Sequence, residues 1–180
     1  MQMGIGRLGA PNLILKRKFR FTLAISTPCG NVPEHYVKVA ARPQLEIDET
    51  ELNFLNAVTW VPGKGRWQPL SVTYVDVPDA EMVGLYSWIT TVYNFQNPVE
   101  LKQSEKAGWA GTAFLNMYDG CGVPMEGWIL GSVWPQSVNF GDLDYADSEA
   151  ATIELTLRYS EVEYASNCRM GQPEPCCEGC

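Results

Sequence analysis

The 180-residue sequence contains one histidine, His35. That scarcity narrows the chemistry, because histidine is the usual general base near neutral pH and the commonest metal ligand. His35 follows a turn cluster at residues 27–31 that holds Cys29. The two could be imagined as base and nucleophile, but no third group orients them, and a surface histidine in a hairpin loop is the simpler reading. No serine nucleophile elbow, phosphate loop or HExxH motif is present. Gly4, Gly6 and Gly9 spell GxGxxG, yet no strand precedes them and Pro11 follows, so the setting of a dinucleotide site is missing. The acid pairs Asp142/Asp144 and Glu161/Glu163 fall in a loop and on a strand face, where carboxylates are ordinarily solvated. The expectation is a protein that is not an enzyme and uses no cofactor or metal. No apolar run approaches the roughly 18 residues of a membrane span. The N-terminal basic residues follow the apolar ones rather than precede them, so no signal peptide is read.

Charge is sparse and unevenly placed. Charged residues make up 19% and apolar residues 46%, an ordinary globular balance for one domain. Up to Arg42 there are seven Lys/Arg and one acid, Glu34; beyond it, six bases face twenty acids. The net charge of −8 argues against specific DNA binding. The asymmetry reads either as two solvated surfaces of opposite sign or as head-to-tail self-association.

The chain is expected to be mainly β. Residues 13–25 alternate, with Phe19, Phe21, Leu23 and Ile25 on one face and Lys16, Lys18, Arg20 and Thr22 on the other. Residues 36–41 read as the hairpin partner of that strand. Residues 42–65 read as a long irregular loop carrying apolar residues such as Leu52, Phe54, Leu55 and Trp60, which need a partner to cover them. Residues 67–77 form the next strand. Asp79 is a good N-cap for one helix, with Met82, Leu85, Tyr86, Ile89, Val92 and Tyr93 on one face and Asn97-Pro98 as its stop. Strands follow at residues 109–118 and 127–133, joined by a tight turn at 119–122. Residues 134–151 read as an acidic loop. In the strand after it, Ile153, Leu155, Leu157 and Tyr159 alternate with Glu154, Thr156 and Arg158. The alternation slips after Tyr159, which predicts a bulge near Ser160. Residues 1–165 form the domain, with an arm at 1–12, and residues 166–180 are a cysteine-rich tail.

Four of the six cysteines, Cys168, Cys176, Cys177 and Cys180, lie in that tail; Cys29 and Cys121 lie in turns. Their spacing is a poor zinc-site match. Disulfides to neighbouring chains and free thiols on a flexible end remain open. The six tryptophans, among them Trp60 and Trp67, are core or interface anchors or else the lining of a carbohydrate site on a β-sandwich binding module.

Three stretches within residues 80–164 carry a family resemblance: EMVGLYSWITTVYN, LNMYDGCGVPMEGWIL and WPQSVNFGDLDYADSEAATIELTLRY. Trp134-Pro135, Asn139-Phe140-Gly141, Glu149 and the Arg158-Tyr159 pair mark the last of them. Together they resemble the tail tube proteins of contractile-tailed bacteriophages; the N-terminal half matches in layout only. The resemblance implies a β-sandwich or half-open barrel with one flanking helix. Six copies would form a ring around a continuous β-barrel lumen, and rings would stack into a tube. The hemolysin-coregulated protein of type VI secretion shares that plan, and a tailocin tube is a further alternative. Implied partners are further copies of the chain and the sheath, tape measure, baseplate and terminator proteins. DNA would pass through without specific binding, and no membrane is involved. Implied location is the virion tail, assembled in the host bacterial cytoplasm. Leu52, Phe54, Leu55 and Trp60 become ring-stacking candidates, and Glu154, Thr156 and Arg158 lumen candidates. The cysteine-rich tail departs from the family pattern.

Overall fold

The computed structural model describes residues 16–80, 82–96, 108–146 and 148–165. The arm at 1–12, the helix stop at Asn97-Pro98 and the tail at 166–180 lie outside them. Among the described residues there are ten strands, one α-helix and a 3-10 turn at Glu34–Tyr36: β1 Phe21–Thr27, β2 Gly30–Val32, β3 Val37–Ala40, β4 Leu45–Phe54, β5 Ala57–Trp67, β6 Leu70–Val75, α1 Met82–Val92, β7 Gly111–Tyr118, β8 Pro124–Asn139, β9 Thr152–Arg158 and β10 Glu161–Ala165. Eight strands make one antiparallel sheet in the order β2-β1-β7-β8-β9-β6-β3, with β10 also on β8. The sheet folds over on itself and encloses one core of Leu23, Ile25, Leu70, Val72, Tyr74, Leu115, Leu130, Val133, Ile153, Leu155 and Leu157. Of the expected β-sandwich or half-open barrel with one flanking helix, a mainly β, sandwich-like arrangement with that helix is what forms.

The alternating stretch at 152–159 behaves as read. Ile153, Leu155, Leu157 and Tyr159 are at most 5% exposed, while Glu154 and Arg158 face out. The strand between it and β7 was read too short. β8 runs 16 residues, through Trp134 and Pro135 to Asn139, so the start of the supposed acidic loop is strand. Pro135 is tolerated because the β8–β9 register slips between Pro135 and Ser137, where a ladder bond is already lost. The bulge expected near Ser160 is instead a bend without slippage: Gly131 pairs with Glu161 and Trp134 with Arg158, so the offset is the same on both sides. Ser132, at φ 55°, sits opposite Ser160 and the two strands turn together. β8 thus links the two halves of the folded sheet.

Two further expectations are corrected. β1 forms its hairpin with the three-residue β2, not with residues 36–41; those make β3, which pairs with β6 on the far edge. A tight turn held by Thr27 Oγ1, which accepts from the Cys29 amide at 3.2 Å, explains the early reversal. Residues 42–65 are not an irregular loop: β4 and β5 form a separate two-stranded hairpin.

α1 packs by Met82, Leu85, Trp88 and Ile89, all at most 4% exposed. Trp88, absent from the expected helical face, is fully buried, and Tyr93, expected on it, is 52% exposed. Asp79 starts the helix through its carbonyl, which accepts from the Met82 amide at 3.1 Å. Its carboxylate takes the Tyr36 hydroxyl at 2.6 Å. Antiparallel pairing places the C-terminal ends of β1, β6 and β8 together, beside α1. The opposite end carries the β7–β8 turn and the root of the β4–β5 hairpin.

Candidate assembly surfaces

The hairpin is amphipathic, and its register shows how. Near the tip Thr50, Leu52 and Phe54 share a face with Ala57, Thr59 and Val61; Glu49, Glu51 and Asn53 share the other with Val58 and Trp60, and with Leu45 and Ile47 toward the root. In the sequence the apolar positions change parity between Ile47 and Leu52. The register slips there because β5 carries one extra residue opposite Asp48; β4 itself alternates without a break, so Leu45 and Ile47 lie on the face opposite Leu52 and Phe54. Gly63 lies in that bulge, where an added Cβ would stand 3.0 Å from the Asp48 carbonyl oxygen. Leu52 is 50% exposed, Phe54 79% and Trp60 57%. At the tip Leu55 is wholly exposed and adopts φ 50°, a left-handed conformation that costs a leucine about 1 kcal/mol. A lone two-stranded hairpin is marginal in water and gains little from apolar residues left facing it. The stacking candidates Leu52, Phe54, Leu55 and Trp60 thus lie together near the tip, with Trp60 on the acidic face.

Beside the hairpin root, the seam between β1 and β3 opens into a groove of about 690 Å³. Phe21, Val39, Ala40, Leu115 and Met117 line it, and Lys16, Lys18, Lys38 and Arg42 ring it. Glu126 holds two of these cations. It is 1% exposed, yet its carboxylate accepts from Lys16 Nζ, from Arg42 Nη2 and, at 2.7 Å, from Trp128 Nε1. Burial pushes the carboxyl up. Hydrogen bonds from Lys16, Trp128 and Arg42, with the Arg42 charge, outweigh burial and hold it down to about 2. Sequence reading missed Glu126, since a lone acid at a strand start gives no signal until the fold brings two distant cations to it. Glu126→Gln is expected to cost about 3 kcal/mol at pH 7, the linkage equivalent of that depression. The Glu126 contribution is present above its unfolded value of 4.5 and fades as pH falls toward 2. Urea midpoints at pH 7 and pH 2.5 should therefore separate wild type from variant at pH 7 and draw together at pH 2.5. A gap unchanged by pH would disprove the ionic role.

At the α1 end, residues 140–151 join β8 to β9. Gly141, at φ 73°, allows the chain to turn as its amide donates to Asn139 Oδ1 at 3.1 Å. Leu143 and Tyr145 then project fully into solvent beside Asp142 and Asp144. Phe140 stacks on Tyr86 of α1 with ring centroids 6.0 Å apart.

The lumen candidates share the outer face of β9. Thr156 lies between Ser71 and Ser137, Glu154 between Thr73 and Asn139, and Arg158 opposite Trp134, so the face is polar over Glu154 and Thr156 and meets a tryptophan beside its one base, Arg158. Cys29 and Cys121 are exposed thiols at opposite ends of the β1–β7 pair, too far apart to bond within one chain. Cys168, Cys176, Cys177 and Cys180 lie outside the described residues. Cys29 Sγ lies 3.3 Å from Thr91 Oγ1, and the His35 ring packs 4.0 Å from that of Tyr36. Among the described residues no cluster of three or more His, Cys, Asp or Glu could hold a metal.

By sequence, the chain matches no protein family and no curated protein. By structure it superposes on a chain of the anti-feeding prophage tube-terminating cap, with TM-score 0.68, 17% identity, and 91% of this chain and 99% of that one covered. The sheath–tube complex of an extracellular contractile injection system in its extended state gives TM-score 0.63, 17% identity, and coverage of 92% and 99%. The SPP1 tail tube gives TM-score 0.51, 12% identity, and coverage of 84% and 80%. The chain has the tail-tube fold. The resemblance read from residues 80–164 holds at the level of fold and extends to the N-terminal half.

Proposed function

We propose that the chain is a structural, non-catalytic subunit of an injection tube. Six copies close into a ring and rings stack into a hollow tube. The observation that carries this reading is the tail-tube fold bearing a hairpin whose apolar tip residues Leu52, Phe54, Leu55 and Trp60 are left exposed by the described residues. In the ring the open sheet edges of neighbouring copies join, which removes an aggregation liability. Glu154, Thr156 and Arg158 line the lumen, where a polar wall lets cargo slide. Leu52, Phe54, Leu55 and Trp60 make the contact between rings. The sheath encloses the tube, baseplate and terminator proteins bound its ends, and a tape measure protein sets its length. In a phage tail the cargo is DNA and the site of assembly is the host cytoplasm.

A second reading has specific support. The extracellular contractile injection system and its relatives superpose at TM-scores of 0.62 to 0.68, against 0.51 for the SPP1 tail tube. That gradient favours the tube of a phage-like injection device over one of a DNA-filled virion.

Electron microscopy of the purified protein tests the common core of both readings. Six-fold rings and open tubes are expected. A protein that stays a compact monomer at every concentration would rule them out. The same particles, run on gels without reductant, should show linked chains if Cys29, Cys121 and the tail cysteines bridge neighbours; monomers alone would leave them as thiols.

A further inference from the structure

We propose that residues 140–146 of one copy seat in the groove beside the hairpin root of the next. Leu143 and Tyr145 enter the apolar floor, and Asp142 and Asp144 meet Lys18 and Lys38 at the rim. The inference rests on the tube reading and names the partner of one of its surfaces. Loop and groove lie at opposite ends of the folded sheet, so each copy offers one to the copy on either side and the contact repeats head to tail.

Charge and shape select this occupant. Glu126 already engages Lys16 and Arg42, which leaves Lys18 and Lys38 as the rim cations with no acidic partner among the described residues. The loop is the complement: two wholly exposed apolar side chains interleaved with two acids within four residues of irregular backbone. The hairpin fits less well, because near its tip Glu49 and Glu51 point to the face opposite Leu52 and Phe54, and these acids and apolar side chains cannot reach rim and floor together. Residues 1–15 fit less well too, since they carry Arg7 and no acid to a rim that is already cationic.

The test compares assembly of full-length variants by light scattering and microscopy at low and moderate salt. Leu143→Ser with Tyr145→Ser should raise the concentration for half-assembly at least about tenfold, the loss expected from two buried apolar side chains. Lys18→Glu with Lys38→Glu should raise it at low salt, and Asp142→Lys with Asp144→Lys should do the same. Combining the two charge reversals should restore assembly. Asp144 Oδ1 also accepts from the Ala146 amide at 2.9 Å, so Asp142→Lys alone is run beside the double variant. If wild type forms no rings or tubes, the tube reading falls and this contact with it. If wild type and all variants assemble alike, only this contact falls. Groove variants that fail while loop variants assemble normally would give the groove to another segment and overturn the proposal.

Discussion

Replacing Leu52 and Phe54 with Asp should abolish tube formation while leaving the isolated subunit folded. Both side chains lie exposed on one face of the β4–β5 hairpin near its tip, and neither belongs to the buried core. Each contributes about 1.5–3 kcal/mol when buried, so losing both at every copy-to-copy contact raises the assembly threshold by about a hundredfold or more. The subunit itself should melt within about 0.5 kcal/mol of wild type, as surface changes do. Leu55→Gly gives a sharper version. Glycine accepts φ 50° without strain, so the hairpin should become more stable in the isolated chain even as assembly weakens. Thermal melts of the monomer together with sedimentation of the assembled material separate these effects. A Leu55→Gly protein that assembles as well as wild type would remove the tip from the interface.

The second large effect belongs to the core. Trp88→Ala should destabilise the subunit by about 3–5 kcal/mol, a large share of a typical domain's stability. Trp88 is fully buried, and its Nε1 donates to the Trp109 carbonyl at 2.8 Å, which ties α1 to the segment leading into β7. Truncation opens a large void and orphans that carbonyl. Val83→Ala on the same helix, at a position 59% exposed, is the control and should shift stability by less than about 0.5 kcal/mol. Urea unfolding followed by far-UV circular dichroism measures both. A Trp88→Ala loss below about 1 kcal/mol would show that the helix is not part of the cooperative core.

The sequence was most legible where one face of one strand met the core. β9 shows this, since each of its core positions could be named from parity alone. The hairpin was illegible for a physical reason. Its apolar residues change parity between Ile47 and Leu52 and fall on both faces, and Pro62, Gly63 and Gly65 look like loop residues until the bulge on β5 opposite Asp48 explains them. β8 was cut short because Pro135 reads as a strand breaker, while the register slip that accommodates it depends on β9. The pairing of β3 with β6 was missed because chain proximity favours β1, whose partner β2 is too short to announce itself. Trp88 was missed because helical periodicity tolerates several choices of face, and only the position of the sheet decides among them. Of the candidate surfaces, the stacking candidates Leu52, Phe54, Leu55 and Trp60 were visible as apolar side chains in a stretch with no core pattern, and the structure leaves them exposed. The basic groove and Glu126 were not, since both are made by residues far apart in the chain.

The two ends of the folded sheet differ, one presenting Leu143 and Tyr145 among acids and the other a cationic groove and a hairpin. A polymer built from such a subunit has a direction, like an arrow, and the two tips of the finished fibre are chemically distinct. Every added copy leaves an end identical to the one it covered. Nothing in the subunit therefore counts, and the length of the fibre must be imposed from outside by whatever starts it at one tip and stops it at the other.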